Sequence, residues 1–161
     1  MEFNNKIKDH MKTDVTYTTV EERLANVIFK MSKAEADIAV VKSKEDIVGV
    51  ITASDIYSAL VKEVFAKDAK ETGGSTEIED MKVIDIMRGP PAEKFMTACQ
   101  LGGSNPCIQV HEDTTIKDAI RIMERSCLHH LLVMDDKNNL VGTISSNDII
   151  RSFGRSKIQK E

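Results

Sequence analysis

The pattern Gly-x-Ile-(Thr/Ser)-x-x-Asp-Ile occurs twice, at Gly49–Ile56 and at Gly142–Ile149, 93 residues apart. In each copy a small hydroxyl, Thr52 or Ser145, stands three residues ahead of a carboxylate, Asp55 or Asp148. A β-branched run precedes it and helix-spaced apolar residues follow. A chain that repeats such a junction must build the same strand-to-helix corner twice. The spacing is that of a helix capping box. It is also a nucleotide-shaped pair of groups, since the hydroxyl can donate to a phosphate and the carboxylate can accept from two sugar hydroxyls. One such carboxylate bond is worth about 1.5–3 kcal/mol. A helix starting at Thr52 or Ser145 would add backbone donors for a phosphate.

Around each motif the elements repeat. In the second half Cys107–His111 alternates as a short strand. Thr115 with Asp118 caps a helix whose apolar face is Ile116, Ala119, Ile120 and Met123. Leu128–Met134 reads as a strand, residues 135–139 as a polar turn, Leu140–Ile144 as a strand, and Ser145 or Ser146 opens the closing helix. In the first half Thr13–Tyr17 is the short strand, Thr19 with Glu22 is a capping box, and Val20, Leu24, Val27, Ile28 and Met31 form the helix face. Strands at 38–41 and 47–51 flank a turn, and a helix runs from Ser54 to Lys67. Val40 aligns with Val133, and the helix starts align Val20 with Ile116. That alignment sets Asp37 opposite His130. Ahead of each half an Asp-x-Met echo, at Asp9/Met11 and Asp85/Met87, is offset by 76, which leaves the second half about twenty residues longer.

The expected organisation is a first repeat at 6–66, a linker at 67–80, a second repeat at 81–154 with an insertion at about 88–106, and a basic tail at 155–161. Each core unit has about fifty residues, too few to bury a sufficient core alone. Two copies packed about a pseudo-twofold axis solve that problem. Twenty-two basic and 26 acidic residues give a net charge of −4, which argues against nucleic acid as the main partner. No apolar run approaches membrane-spanning length, and the first residues have no signal-peptide character, so a cytoplasmic protein is expected. The three cysteines are expected to be reduced thiols.

The β-α-β-β-α repeat, with its Gly-x-Ile-(Thr/Ser)-x-x-Asp end and its x-Asp-x-Met lead, resembles the cystathionine-β-synthase (CBS) domain, two of which form a Bateman module. The resemblance covers roughly residues 6 to 154. It implies a mixed α/β (α+β) fold and ligand sensing rather than catalysis. It implies an adenosine compound (AMP, ADP, ATP or S-adenosylmethionine) as the regulatory ligand, and a homodimer acting on another protein. In one cleft Asp55 would hold ribose hydroxyls and Thr52 a phosphate, with Ile108, Val110 and Thr114 around the adenine. In the other, Asp148 and Ser145 with Thr143 take those roles, lined by Val15, Thr18 and Ile38. His129 and His130 match positions where basic residues reach phosphates. By the same alignment Asp37 would face a phosphate and repel it, at roughly 1 kcal/mol or more.

Other constellations are less specific. Adjacent strand residues point to opposite faces, so His129 and His130 do not chelate one metal together. Cys99 and Cys107 lack Cys-x-x-Cys spacing but, with His111, leave a thiol or metal sensor as one alternative. A protein–protein adaptor with vestigial clefts is another. The inserted segment is expected to cover a cleft or the dimer surface. No nucleophile–base arrangement and no Walker-type loop is present.

Overall fold

The structure is a computed structural model of the chain and describes residues 3–68, 78, 80–87 and 109–158, with side chains as far as 65 and 155 in the two closing helices. The described residues form two compact units. Residues 16–68, 78 and 80–87 make a central unit. Residues 3–15 and 109–158 make a terminal unit.

The central unit runs β1 (Tyr17–Thr19), α1 (Leu24–Lys33), β2 (Ile38–Ser43), β3 (Asp46–Thr52) and α2 (Ala53–Asp68). The terminal unit runs β4 (Gln109–His111), α3 (Ile116–Ser126), β5 (His130–Met134), β6 (Leu140–Ser145) and α4 (Ser146–Ile158). Each sheet has three strands, with a parallel β1–β2 or β4–β5 pair and an antiparallel hairpin. The parallel pair needs a crossover, which α1 and α3 supply. Strand residues alternate between two faces. One face carries Ala39, Val41 and Ile51 against Leu24, Val27 and Met31 of α1. Its counterpart carries Leu131, Val133 and Ile144 against Ile116, Ala119 and Met123 of α3.

The pairings revise the alignment of the halves. Tyr17 pairs with Val40 as Gln109 pairs with Leu132, and Val41 pairs with Gly49 as Val133 pairs with Gly142. The offset is therefore 92 from β1 through β2 and 93 from β3 onward, because the second hairpin turn is one residue longer. Val133 corresponds to Val41 rather than Val40. The helix starts, Leu24 and Ile116, are also 92 apart, not 96. The left-handed residues Glu35 (φ 48°) and Cys127 (φ 52°) that end α1 and α3 are 92 apart as well. With the lead turns Ile7–Asp9 and Val83–Asp85 offset by 76, the second half is sixteen residues longer, not twenty.

The expected Thr19–Glu22 capping box does not form. Helix α1 starts at Leu24, its N-cap is Arg23, and no side chain caps it. Glu22 instead accepts from the Thr18 hydroxyl at 2.8 Å and pairs with Lys30 at 2.7 Å. A carboxylate with a lysine in reach satisfies itself better there than on a backbone N–H. In the second half the box is present, with Thr115 accepting from Asp118 N.

The lead segments bind in one repeated way. In the terminal unit Ile7 N donates to Thr114 O, Lys8 N to Glu112 O and Ile116 N to Asn5 O. In the central unit Val83 N donates to Glu22 O, Ile84 N to Val20 O and Leu24 N to Met81 O. The first lead thus docks on the second repeat, and the second lead on the first. Ile7 and Val83 are both fully buried by it.

Candidate functional site

Both strand-to-helix corners have one geometry. Thr52 closes β3 and Asp55 lies in the first turn of α2. Thr52 N and Oγ1 both donate to Asp55 Oδ2, at 2.9 and 2.6 Å, and Oγ1 accepts from Asp55 N at 3.3 Å. Ser145 N and Oγ donate to Asp148 Oδ2 at 2.8 and 2.7 Å, and Oγ accepts from Asp148 N at 3.2 Å. All four residues are buried. The corner is a capping box closed by a third bond. Each hydroxyl's single proton is committed to its carboxylate, so donation to a phosphate requires the rotor to turn away. An ionised carboxylate has about four lone-pair sites, and these bonds use two of them.

The register decides which residues share the face of each corner, because directly paired antiparallel residues point the same way. Ile38 pairs with Thr52, and Val40 with Val50. His130 pairs with Ser145, and Leu132 with Thr143. Following the parallel pair, Tyr17 joins the first set and Gln109 the second. The faces are therefore Tyr17, Ile38, Val40, Val50 and Thr52 in the central unit, and Gln109, His130, Leu132, Thr143 and Ser145 in the terminal unit. Tyr17, Val40, Val50, Gln109 and Leu132 are additions to the expected set. Their signal in the sequence is strand alternation, legible only with the correct pairing.

Thr18 and Val110 lie on the other, helix-packed face. Thr18 pairs with Val41 and its hydroxyl is spent on Glu22. Val110 pairs with Val133 inside the core. The alignment of Asp37 with His130 fails, since Ile38 holds the place of His130. Asp37 precedes β2, where its carbonyl accepts from Ala53 N at 3.0 Å. His129 is exposed, and its carbonyl accepts from Ser146 N, whereas His130 is 9% exposed. Thr114 is half-buried in the loop that holds the first lead. Val15 is half-buried in the terminal unit. Ile108, Cys99, Cys107 and the inserted segment lie outside the described residues.

His111 is engaged by its own surroundings. Its Nδ1 accepts from Asp113 N at 3.1 Å, which requires that nitrogen to be bare, and its Nε2 contacts Asp136 at 2.8 Å. Among the described residues no three His, Cys, Asp or Glu side chains gather as a metal site. Beside β1, partial burial pushes the Glu22 carboxyl up. Its hydrogen bonds from Lys30 and Thr18, with the charge of Lys30, outweigh this and hold it below the ordinary value. Lys42 Nζ lies 4.4 Å from the centroid of the Tyr17 ring.

Comparison with known proteins gives the same picture. The CBS domain family model matches residues 7–62 and 83–155. MJ1426 of Methanocaldococcus jannaschii is 27% identical over 166 residues, covering 91% of this chain and 90% of the relative. MJ1225 of the same organism is 25% identical over 150 residues. This chain spans about half of it, 48% of its length. The crystal structure of MJ1225, a proposed archaeal homologue of γ-AMPK, superposes with a TM-score of 0.66 over 95% of this chain and 49% of its own. The CBS domain pair of MJ0100, solved with 5′-methylthioadenosine and S-adenosyl-L-methionine, has a TM-score of 0.65 at 19% identity, over 94% of this chain and 98% of its own. Two matched segments, laid over units that share element order, strand pairing and corner hydrogen bonds, make this chain a member of the CBS-domain family.

Proposed function

We propose that this chain is a regulatory module that senses an adenosine-containing compound: AMP, ADP, ATP or S-adenosylmethionine. The observation that carries this reading is the pair of buried carboxylates, Asp55 and Asp148, each accepting two hydrogen bonds at a strand-to-helix corner closed by a third from its own backbone N–H. A preorganised carboxylate with acceptor capacity suits two vicinal hydroxyls. The adenosyl ligands of the MJ0100 domain pair support the compound class. Thr52, Thr143, Ser145, Ile38, His129 and His130 take part beside the carboxylates. Val15, Thr18, Ile108, Val110 and Thr114 enter this reading through the family resemblance alone. Binding acts by shifting a conformational equilibrium that a regulated protein reads, not by chemistry on the ligand.

The module is further proposed to be a cytoplasmic homodimer. No helix among the described residues is long and apolar enough to cross a membrane. Helix α2 leaves Tyr57, Leu60, Val64 and Phe65 exposed at 67, 42, 56 and 67%. A helical apolar stripe on the outside of a chain is a surface for another chain. The same stripe favours the second reading, an adaptor whose clefts are empty. Isothermal titration with the four compounds separates the two. Binding that is lost at one site in Asp148→Ala supports the sensor, and no heat from any compound at millimolar concentration sinks it.

A further inference from the structure

We infer that the outward face of α1, centred on Phe29, docks an acidic amphipathic helix of another protein. This adds a partner surface to the adenosine reading above and does not depend on it. The duplicated fold supplies its own reference. Helices α1 and α3 are equivalent at an offset of 92, which matches Ala25, Asn26, Phe29, Ser32 and Lys33 with Lys117, Asp118, Arg121, Glu124 and Arg125. All ten are exposed. In α3 all five carry charge, as a helix face turned to water does. In α1 four of the five are uncharged, and Phe29 lies 70% exposed at their centre. The change continues onto the second lead, which reaches the start of α1 through Val83 N on Glu22 O and Leu24 N on Met81 O. There Ile84, 41% exposed, takes the place of Lys8, which in the first lead pairs with Asp113 at 2.8 Å.

One exposed apolar residue by itself is ordinary. A face that exchanges charge for Ala, Asn, Phe and Ser, beside an exposed Ile, is not. The fold does not require the ring, since α3 carries arginine at that position, and arginine is the better helix former. Covering Phe29 with apolar surface would stabilise a complex. Charge selects the occupant. Helix α1 holds Lys30 and Lys33 and no acidic residue, on a chain of net charge −4. The two carboxylates ahead of it, Glu21 and Glu22, are taken by Lys82 and Lys30. Lys33 stands one turn beyond Phe29 on the same face. A second copy laid there brings more lysine and no carboxylate from its own α1. An amphipathic helix with Asp or Glu beside its apolar stripe meets both Phe29 and Lys33 with complementary groups.

The test is selection of a phage-displayed library of helical peptides on the full chain, with Phe29→Arg as the counter-target. That variant copies α3 and should melt no lower than the parent. Enriched peptides are expected to carry apolar residues at helical spacing with Asp or Glu beside them. They should bind Phe29→Arg about tenfold or more weakly, and Lys33→Glu more weakly than the parent. Added to the labelled parent chain, they should shift the amide resonances of α1 and not those of α2. Peptides that bind both variants as well as the parent, that shift α2 instead, or that carry Lys and Arg beside the stripe overturn the proposal, as does a library with no enrichment. Sedimentation gives the remaining outcome: a parent dimer that Phe29→Arg dissociates makes a second copy the occupant and overturns the acidic partner. Phe29→Arg should leave the heats of the four adenosine compounds unchanged. Absence of heat from the parent sinks the adenosine reading alone.

Discussion

At the scale of single residues, the capping contacts of the two halves make opposite predictions. Thr115 caps α3 through Asp118 N. Thr115→Ala should cost about 1 kcal/mol. Arg23, the equivalent residue on α1, has cap-compatible dihedrals (φ −66°, ψ 137°) and no side-chain cap. Arg23→Ser should therefore stabilise by up to about 1 kcal/mol. Denaturant titration of both variants checks the pair, and equal signs would contradict the geometry. Glu22 adds a pH dependence. Its folded-state carboxyl titrates below the ordinary value. Its stabilising contribution is therefore full above the unfolded value near 4.5 and is lost as pH falls through the depressed folded value. Glu22→Gln should remove that part of the acid sensitivity, seen as a shallower fall of melting temperature between about pH 5 and pH 3.

At the scale of elements, β6 and the first lead are fitted by a glycine. Lys12 and Thr143 exchange backbone hydrogen bonds of 2.9 Å. A Cβ on Gly142 would meet Lys12 O at 2.6 Å and Met11 Sδ at 2.8 Å. The methionine can move, but the carbonyl belongs to the pairing. Gly142→Ala should therefore destabilise by about 1–3 kcal/mol, the range for overpacking a tight site. The measurement is thermal unfolding, with hydrogen exchange at Lys12 and Thr143 showing where the loss falls. A variant as stable as the parent would mean that the lead yields freely. Most elements were legible in the sequence because their periods differ: two for the strands, 3.6 for the helices. The start of α1 was not. Thr19 and Glu22 spell a capping box, and only the nearby Lys30 and Thr18 show why Glu22 turns elsewhere.

At the scale of the whole molecule, the exchange of leads has a consequence for truncation. Residues 3–12 donate to or accept from 112, 114, 116, 117 and 143, and Phe3 packs 5.3 Å from Phe153. Deleting residues 1–12 should therefore loosen the unit built from the second repeat, although the cut lies next to the first. Hydrogen exchange should show lost protection in β6 and at the start of α3, with β1–β3 retained. Loss confined to β1–β3 would refute the exchanged docking.

The duplicated motif, the β-α-β-β-α order, the apolar helix faces and the two carboxylate corners are properties of the sequence alone. They depend on local spacing, and spacing survives in one dimension. Strand register, the faces of Thr18 and Val110, the counterpart of His130 and the docking of each lead were decided by tertiary structure. A one-residue slip between the halves, 92 against 93, moves a side chain to the opposite face of a strand. No local pattern can show it, because the extra residue sits in a polar turn that tolerates either length. The same slip puts Ile38, not Asp37, opposite Thr52.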